Sequence, residues 1–208
     1  MRGIFSFLAQ GGPLVWPIIF CSILGLAIFF NRLYFLFRLK REEELSLHRL
    51  EEVFEKGKDP KELARNGGPL ARMIQEVLPV CCRDRALLET VLDHVIDHEV
   101  TRASRYLDQL ATLASLAPLM GLLGTVTGLI KAFMVIEEAG GRVDANMLAG
   151  GIWEAMLTTA VGLSVALPLM VAHRFLLSRV QAYEDDLKRL AIALLKVLYQ
   201  RDLRETER

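Results

Sequence analysis

Glu154 is the single charge within residues 145–173, a run of otherwise uncharged and mostly apolar side chains. A carboxylate at membrane depth is costly, so where one occurs it usually faces a protein interior or a water path and handles ions or protons. On a helix, Glu154, Thr158 and Gly162 follow at i, i+4 and i+8, placing an acid, a hydroxyl and a bare backbone patch along one slowly drifting face. Thr159 points away from that face, toward a different neighbour. A carboxyl group withdrawn from water can take up and release a proton, and beside a threonine-lined passage that is chemically sufficient to relay protons or bind a cation.

A second set of small and hydroxyl residues lies earlier in the chain. Gly121, Thr125, Gly128 and Ala132 recur at steps of four, three and four, which predicts one stripe on a helix. Gly124 and Gly128 also form a GxxxG pair, which lets membrane helices approach closely. Thr125 and Thr127 can each bond to the carbonyl one turn earlier, the ordinary arrangement for hydroxyls in such helices. Pro118 and Pro168 each remove a helix hydrogen bond and are expected to bend their helices.

These residues need elements to hold them, and the distribution of apolar side chains supplies three. Of 208 residues 52% are hydrophobic, and they gather in blocks rather than spreading evenly. Residues 13–30 carry no charge, and after Asn31 and Arg32 the apolar character resumes through residue 37; residues 109–130 and 145–173 form the other two blocks. A helix needs about 20 residues to cross the hydrocarbon. Three transmembrane helices are therefore expected, at residues 13–36, 109–135 and 146–173, with residues 37–108 a cytoplasmic helical segment and 174–208 a cytoplasmic C-terminal helix. The fold is all-α and polytopic, two of its membrane helices extending into a cytoplasmic helical bundle. The first block is not read as a cleaved signal: its leader has only Arg2, it contains Pro13 and Pro17, and no small-residue cleavage pattern precedes Arg32.

Arg32, Arg38, Lys40 and Arg41 follow the first span, Arg102 and Arg105 precede the second, and Arg174 and Arg179 follow the third. The other side offers Arg2, Lys131 and Arg142. The positive-inside rule then sets the N-terminus outside and the C-terminus in the cytoplasm. Between the spans, Leu47, Leu50 and Phe54 keep helical spacing up to a break at residues 57–60, and a second break falls at 66–69. Leu70, Met73, Ile74 and Val77 form the apolar face of a short helix, with Pro69 suited to its first turn. From Leu88 to Leu110 the helical spacing continues without interruption, which predicts one long helix leading into the second span. After the third span, Leu176, Val180, Tyr183, Leu187, Leu190, Leu194 and Val197 alternate steps of four and three, a heptad seam for helices side by side, within the chain or between subunits.

Other chemistries fit poorly. Ser164 and His173, nine residues apart on one helix, are separated by about 13 Å, too far for a nucleophile and its base. His94 and His98 share a helical turn as zinc ligands can, yet no third ligand is evident and the face is charged, so a solvated surface is expected. Cys21, Cys81 and Cys82 lack CxxC spacing and are read as reduced. Lys and Arg number 25 and so do Asp and Glu; with no net charge and no nucleotide-binding loop, neither a nucleic-acid partner, a metal nor a cofactor is expected.

Residues 117–130, Ala-Pro-Leu-Met-Gly-Leu-Leu-Gly-Thr-Val-Thr-Gly-Leu-Ile, resemble the signature helix of the ExbB/TolQ/MotA proton-channel stator family, and residues 154–163, Glu-Ala-Met-Leu-Thr-Thr-Ala-Val-Gly-Leu, are similar to its partner helix. Three spans and about 200 residues favour the ExbB/TolQ branch over the longer, four-span MotA branch. The resemblance implies a non-enzymatic proton channel in the bacterial inner membrane, a homopentamer enclosing the transmembrane helices of a dimeric, single-span ExbD- or TolR-like partner whose aspartate is the principal proton carrier. Matched by motif, Glu154 is the family acid, Thr159 the threonine of the third span and Thr125 that of the second; Thr158 sits one residue before the matched position but shares a face with Glu154. H⁺ flow would turn or shift the partner helices and drive a periplasm-spanning TonB- or TolA-like arm. The functions this implies are ExbB-like energising of TonB-dependent outer-membrane transport, TolQ-like support of Tol-Pal envelope maintenance and cell division, or, as a third reading, a non-conducting membrane scaffold.

Overall fold

A computed structural model describes residues 11–56, 68–77, 79, 85–138 and 145–206, with side chains at 11–41, 68–77, 79, 86–138 and 149–196. The described residues fold into helices, with no strand among them: α1 (Val15–Lys56), α2 (Pro69–Val77), α3 (Arg85–Ser104), α4 (Leu107–Glu138) and α5 (Ala145–Thr206). Stretches long and apolar enough to cross a membrane fall within Val15–Arg41, Ala86–Glu138 and Ala149–Lys196. Large apolar side chains on these stretches stand exposed, among them Phe20 at 67%, Phe133 at 65% and Val171 at 69%. Such a surface is stable against lipid and would aggregate in water, so this is a multi-pass membrane protein.

The chain forms two compact units, one from Met1–Asn31 with Tyr106–Phe175, the other from Arg32–Arg105 with Leu176–Arg208. In the first, α4 and α5 lie antiparallel and unusually close. The buried stripe of α4 is Ala114, Ala117, Gly121, Gly124, Gly128 and Ala132. Facing it on α5 are Gly151, Ala155, Thr158 and Gly162: an added Cβ would meet Ala155 Cβ at 2.8 Å from Gly128, Ala132 Cβ at 2.8 Å from Gly151, and the Ala117 carbonyl at 2.7 Å from Gly162. The stripe therefore runs through Gly124 and not, as the spacing of Gly121, Thr125 and Gly128 predicts, through Thr125. At Gly124 even a methyl group would overlap the Thr158 side chain, so only a bare backbone fits there, while Thr125 is rotated off the contact and half-buried. Pro118 and Pro168 lie inside α4 and α5, and both helices continue through them.

In the second unit, α2 starts with Pro69 at its first position, after Gly68 takes φ +91°. Its apolar face of Leu70, Met73, Ile74 and Val77 is buried, α2 packs on α3, and Leu88, Leu92, Val95, Ile96 and Ala103 of α3 are buried too. Arg72 grips Glu99 in a two-pronged ion pair, Nε–Oε1 2.7 Å and Nη2–Oε2 2.8 Å, with the Glu99 side chain 1% exposed. The heptad positions from Leu176 through Leu194 are buried within this single chain; Val197, Leu47, Leu50, Phe54, Cys81 and Cys82 lie outside the described side chains.

The helix leading into the second span is broken, contrary to the unbroken spacing from Leu88 to Leu110. Arg105 and Tyr106 form a turn, with Tyr106 at φ +69°, a conformation that costs an L-residue about 1–2 kcal/mol. The Arg102 carbonyl, which an unbroken helix would pair with the Tyr106 N–H, accepts instead from Arg32 Nη1 at 3.4 Å. Arg32 is buried to 6% and also stacks over Phe35 at 5.2 Å. No glycine or proline announces this turn, because its compensation comes from another helix.

Candidate ion-pathway site

Glu154 sits half-buried on α5, one turn before Thr158. Its Oε1 receives Lys131 Nζ at 2.9 Å, and Lys131 is placed by α4, one turn beyond the Gly128–Ala155 contact. The third wall is the turn Gly11–Gly12 that precedes α1. Gly12 holds φ +73° and its Cα passes so near Glu154 Oε1 that an added Cβ would overlap that oxygen, two independent reasons for glycine there. Val15 N–H bonds the Gly12 carbonyl at 3.3 Å, anchoring the turn to the start of α1.

Thr158, 1% exposed, ties this turn to α5, its hydroxyl lying 2.6 Å from the Gly11 carbonyl and 2.8 Å from the Glu154 carbonyl. A hydroxyl has one proton to donate, so it serves one carbonyl at a time. Thr159 faces another way and bonds the Gly121 carbonyl of α4 at 2.8 Å. It thereby links the two signature helices where Gly121 leaves Thr159 Cα within 3.1 Å of any added Cβ.

The structure thus gathers Glu154, Thr158 and the small residues of both helices into one locus, with Thr159 bridging the helix pair beside it. Thr125 turns back onto its own helix, donating to the Leu122 carbonyl at 2.6 Å, as Thr127 does to Leu123 and Gly124 at 3.0 Å. Ser164 likewise bonds the Ala160 carbonyl one turn back at 2.7 Å. His94 and His98 are exposed on α3, and no group of three or more candidate metal ligands occurs among the described residues.

Two contributors are not legible in the motifs. In the sequence Lys131 reads as a flanking charge that bears on topology, and Gly11–Gly12 lies just before the first apolar block, where no motif marks it. A signal for the first is nonetheless present: one cation closes the second apolar block as one acid interrupts the third, and across an antiparallel pair the two meet.

Chemically, the locus holds a carboxyl, a counter-cation, and a hydroxyl against backbone carbonyls, within apolar stretches of α4 and α5. Residues 61–189, which contain both signature helices, Lys131 and Glu154, match the sequence model of the MotA/TolQ/ExbB proton channel family. The chain belongs to that family. Its relatives within the MotA/TolQ/ExbB family include the ExbB-like 1 protein of Synechocystis sp., 32% identical over 196 residues that cover 92% of this chain and 77% of that one. The biopolymer transport protein exbB1 of Vibrio cholerae is 29% identical over 188 residues, 85% of this chain and 80% of its own. The Tol-Pal system protein TolQ of Haemophilus influenzae is 40% identical over 91 residues, 44% of this chain and 40% of its own. The matched region of that proton channel family contains the carboxyl, the hydroxyl and the close-packed helices described above.

Proposed function

We propose that this chain is the ExbB-like large subunit of a stator complex in the bacterial inner membrane, which uses the proton motive force to energise TonB-dependent outer-membrane transport. The observation that carries this reading is Glu154, a half-buried acid on the third membrane helix, at the position of the family's acid. In this reading Glu154 exchanges the proton, Thr158 and Thr159 fix the backbone and helix spacing around it, and Thr125 lines the adjoining space in the assembled complex. Gly121, Gly124, Gly128 and Gly162 give the close helix approach on which the geometry depends.

The complex is a homopentamer around a dimeric, single-span ExbD- or TolR-like partner, with the N-terminus in the periplasm and the C-terminus in the cytoplasm. H⁺ is the transported ion, and a TonB-like arm receives the work. The ExbB-like 1 protein and exbB1 support this assignment because they match along most of both chains. A TolQ-like role in Tol-Pal envelope maintenance is supported by the higher identity to TolQ over the shorter 91-residue match.

The test is dissipation of an imposed pH gradient in lipid vesicles that hold this chain with its single-span partner. Partner-dependent proton flux is expected in the wild type, with Glu154→Gln reducing it at least about tenfold while the complex keeps its mass. Equal flux in both would move the essential proton site off this chain. No flux in either, with intact complex, would favour a scaffold.

A further inference from the structure

We propose that the groove between α1 and α5, at the end of the first membrane span, binds an anionic phospholipid, its phosphate held by Lys40 and Arg179 and an acyl chain lying along Leu33, Leu36 and Phe37. The inference needs only that the spans lie in a bilayer, and it is independent of the part Glu154 plays. The groove belongs entirely to the second compact unit. From α1 it is lined by the apolar three and Lys40, and from α5 by Arg179, Ala182, Tyr183 and Asp186, around a space of about 60 Å³. One water needs about 10–15 Å³, so the space admits a short run of chain methylenes. Leu36 and Tyr183 are buried beneath it, while Phe37, Lys40, Arg179 and Ala182 are exposed around it.

Depth and charge together select the occupant. The apolar stretch Val15–Arg41 has 27 residues, about 40 Å of helix against about 30 Å of hydrocarbon. Its last two turns, which carry the groove, therefore reach the phosphate level of one leaflet, the cytoplasmic one in the proposed orientation. Phe30, Tyr34 and Phe37 stand exposed at steps of four and three, so one apolar face of α1 leads from the hydrocarbon to the groove. A lipid chain can follow that face without leaving an apolar surface. At the groove, Asp186 is paired along α5 with Arg189 at 3.5 Å, so its charge is offset on its own helix and the two lining cations set the sign. An arginine fork and a lysine point charge suit a phosphate. A soluble anion would leave the apolar wall uncovered, and an apolar peptide would leave the cations unused; a phospholipid meets both.

The experiment titrates phosphatidylglycerol into the detergent-solubilised complex of the full chain and counts lipids bound per subunit by native mass spectrometry. Wild type is expected to take one phosphatidylglycerol per subunit in preference to phosphatidylcholine. Lys40→Gln with Arg179→Gln should weaken binding at least tenfold, since each juxtamembrane cation is worth about fivefold. Ala182→Trp, which fills the groove and keeps both charges, should weaken it comparably. Arg41→Gln with Arg174→Gln removes two exposed cations of the same helices outside the lining, and should stay within about twofold of wild type. An equal loss in that control would overturn the site in favour of diffuse charge attraction. Equal binding of phosphatidylcholine would overturn the anionic assignment, and displacement by inorganic phosphate would make this an ion site and not a lipid site. A wild type without lipid whose complex loses mass on Ala182→Trp would assign the groove to a second copy of the chain. Should the Trp variant fail to fold, the two glutamine pairs, all at exposed positions, decide the outcome.

Discussion

At the scale of single residues, the candidate site is shaped by groups that leave space as much as by its acid and hydroxyls. Gly12 has no side chain, a left-handed φ of +73°, and the Glu154 carboxylate where a Cβ would stand. Gly12→Ala is therefore expected to cost at least about 1 kcal/mol from the backbone conformation alone, and to push Glu154 off Lys131. Thermal unfolding in detergent measures the first effect, and proton flux with the partner the second. A Gly12→Ala protein as stable and as active as wild type would mean that the turn does not support the acid. Thr158 and Thr159 are adjacent in the chain and about 100° apart on the helix, which is why one reaches Gly11 and the other Gly121. Helical periodicity made that divergence legible; which neighbour each would find was not, since both acceptors are backbone carbonyls and any helix supplies those.

At the scale of elements, close packing of α4 on α5 is the device that brings Lys131 to Glu154. The glycines of α4 serve contacts within one chain, so their replacement acts on the fold of the subunit before it acts on assembly. Gly128→Leu would drive a branched side chain into Ala155, whose Cβ lies 2.8 Å from the position of the first added carbon. It should lower the midpoint of thermal unfolding clearly and separate Lys131 from Glu154, consistent with overpacking costs of about 1–3 kcal/mol or more. Gly150→Ala, with nothing within 4 Å of the added carbon, is the control and should behave as wild type. A stable Gly128→Leu subunit that fails only to oligomerise would show that the stripe works between subunits instead. The break at Tyr106 belongs to this scale as well: residues 88–110 keep helical spacing throughout, and the turn is tolerated because Arg32 of α1 takes the Arg102 carbonyl.

At the scale of the whole molecule, three apolar helices and the asymmetry of Lys and Arg define how the chain should lie in a bilayer. With the native cysteines replaced, a membrane-impermeant maleimide is expected to label Glu138→Cys from the periplasmic side of spheroplasts and Gln181→Cys only after the membrane is opened. The reverse pattern would invert the topology and place Glu154 toward the other face. In the second unit Arg72 pairs with the buried Glu99, and the heptad positions of α5 from Leu176 through Leu194 are buried within this chain. The seam from Leu176 to Leu194 is accordingly an intrachain core, a choice between two packings that the heptad spacing left open.

The sequence by itself determined the three spans, the helical character throughout, the lone acid at membrane depth and the two motif runs that place the chain in its family. Each of these is a local property: a length of apolar chain, a periodicity, a costly residue type, an ordered string. The tertiary structure alone decided that Gly124 rather than Thr125 lies in the contact, that the helix leading into the second span breaks at Tyr106, and that Lys131 and the Gly11–Gly12 turn adjoin Glu154. Those outcomes depend on the register between antiparallel helices and on distances across them. A shift of one residue along α4 rotates the helix by about 100° and exchanges which side chains meet, and periodicity within one helix carries no information about that register.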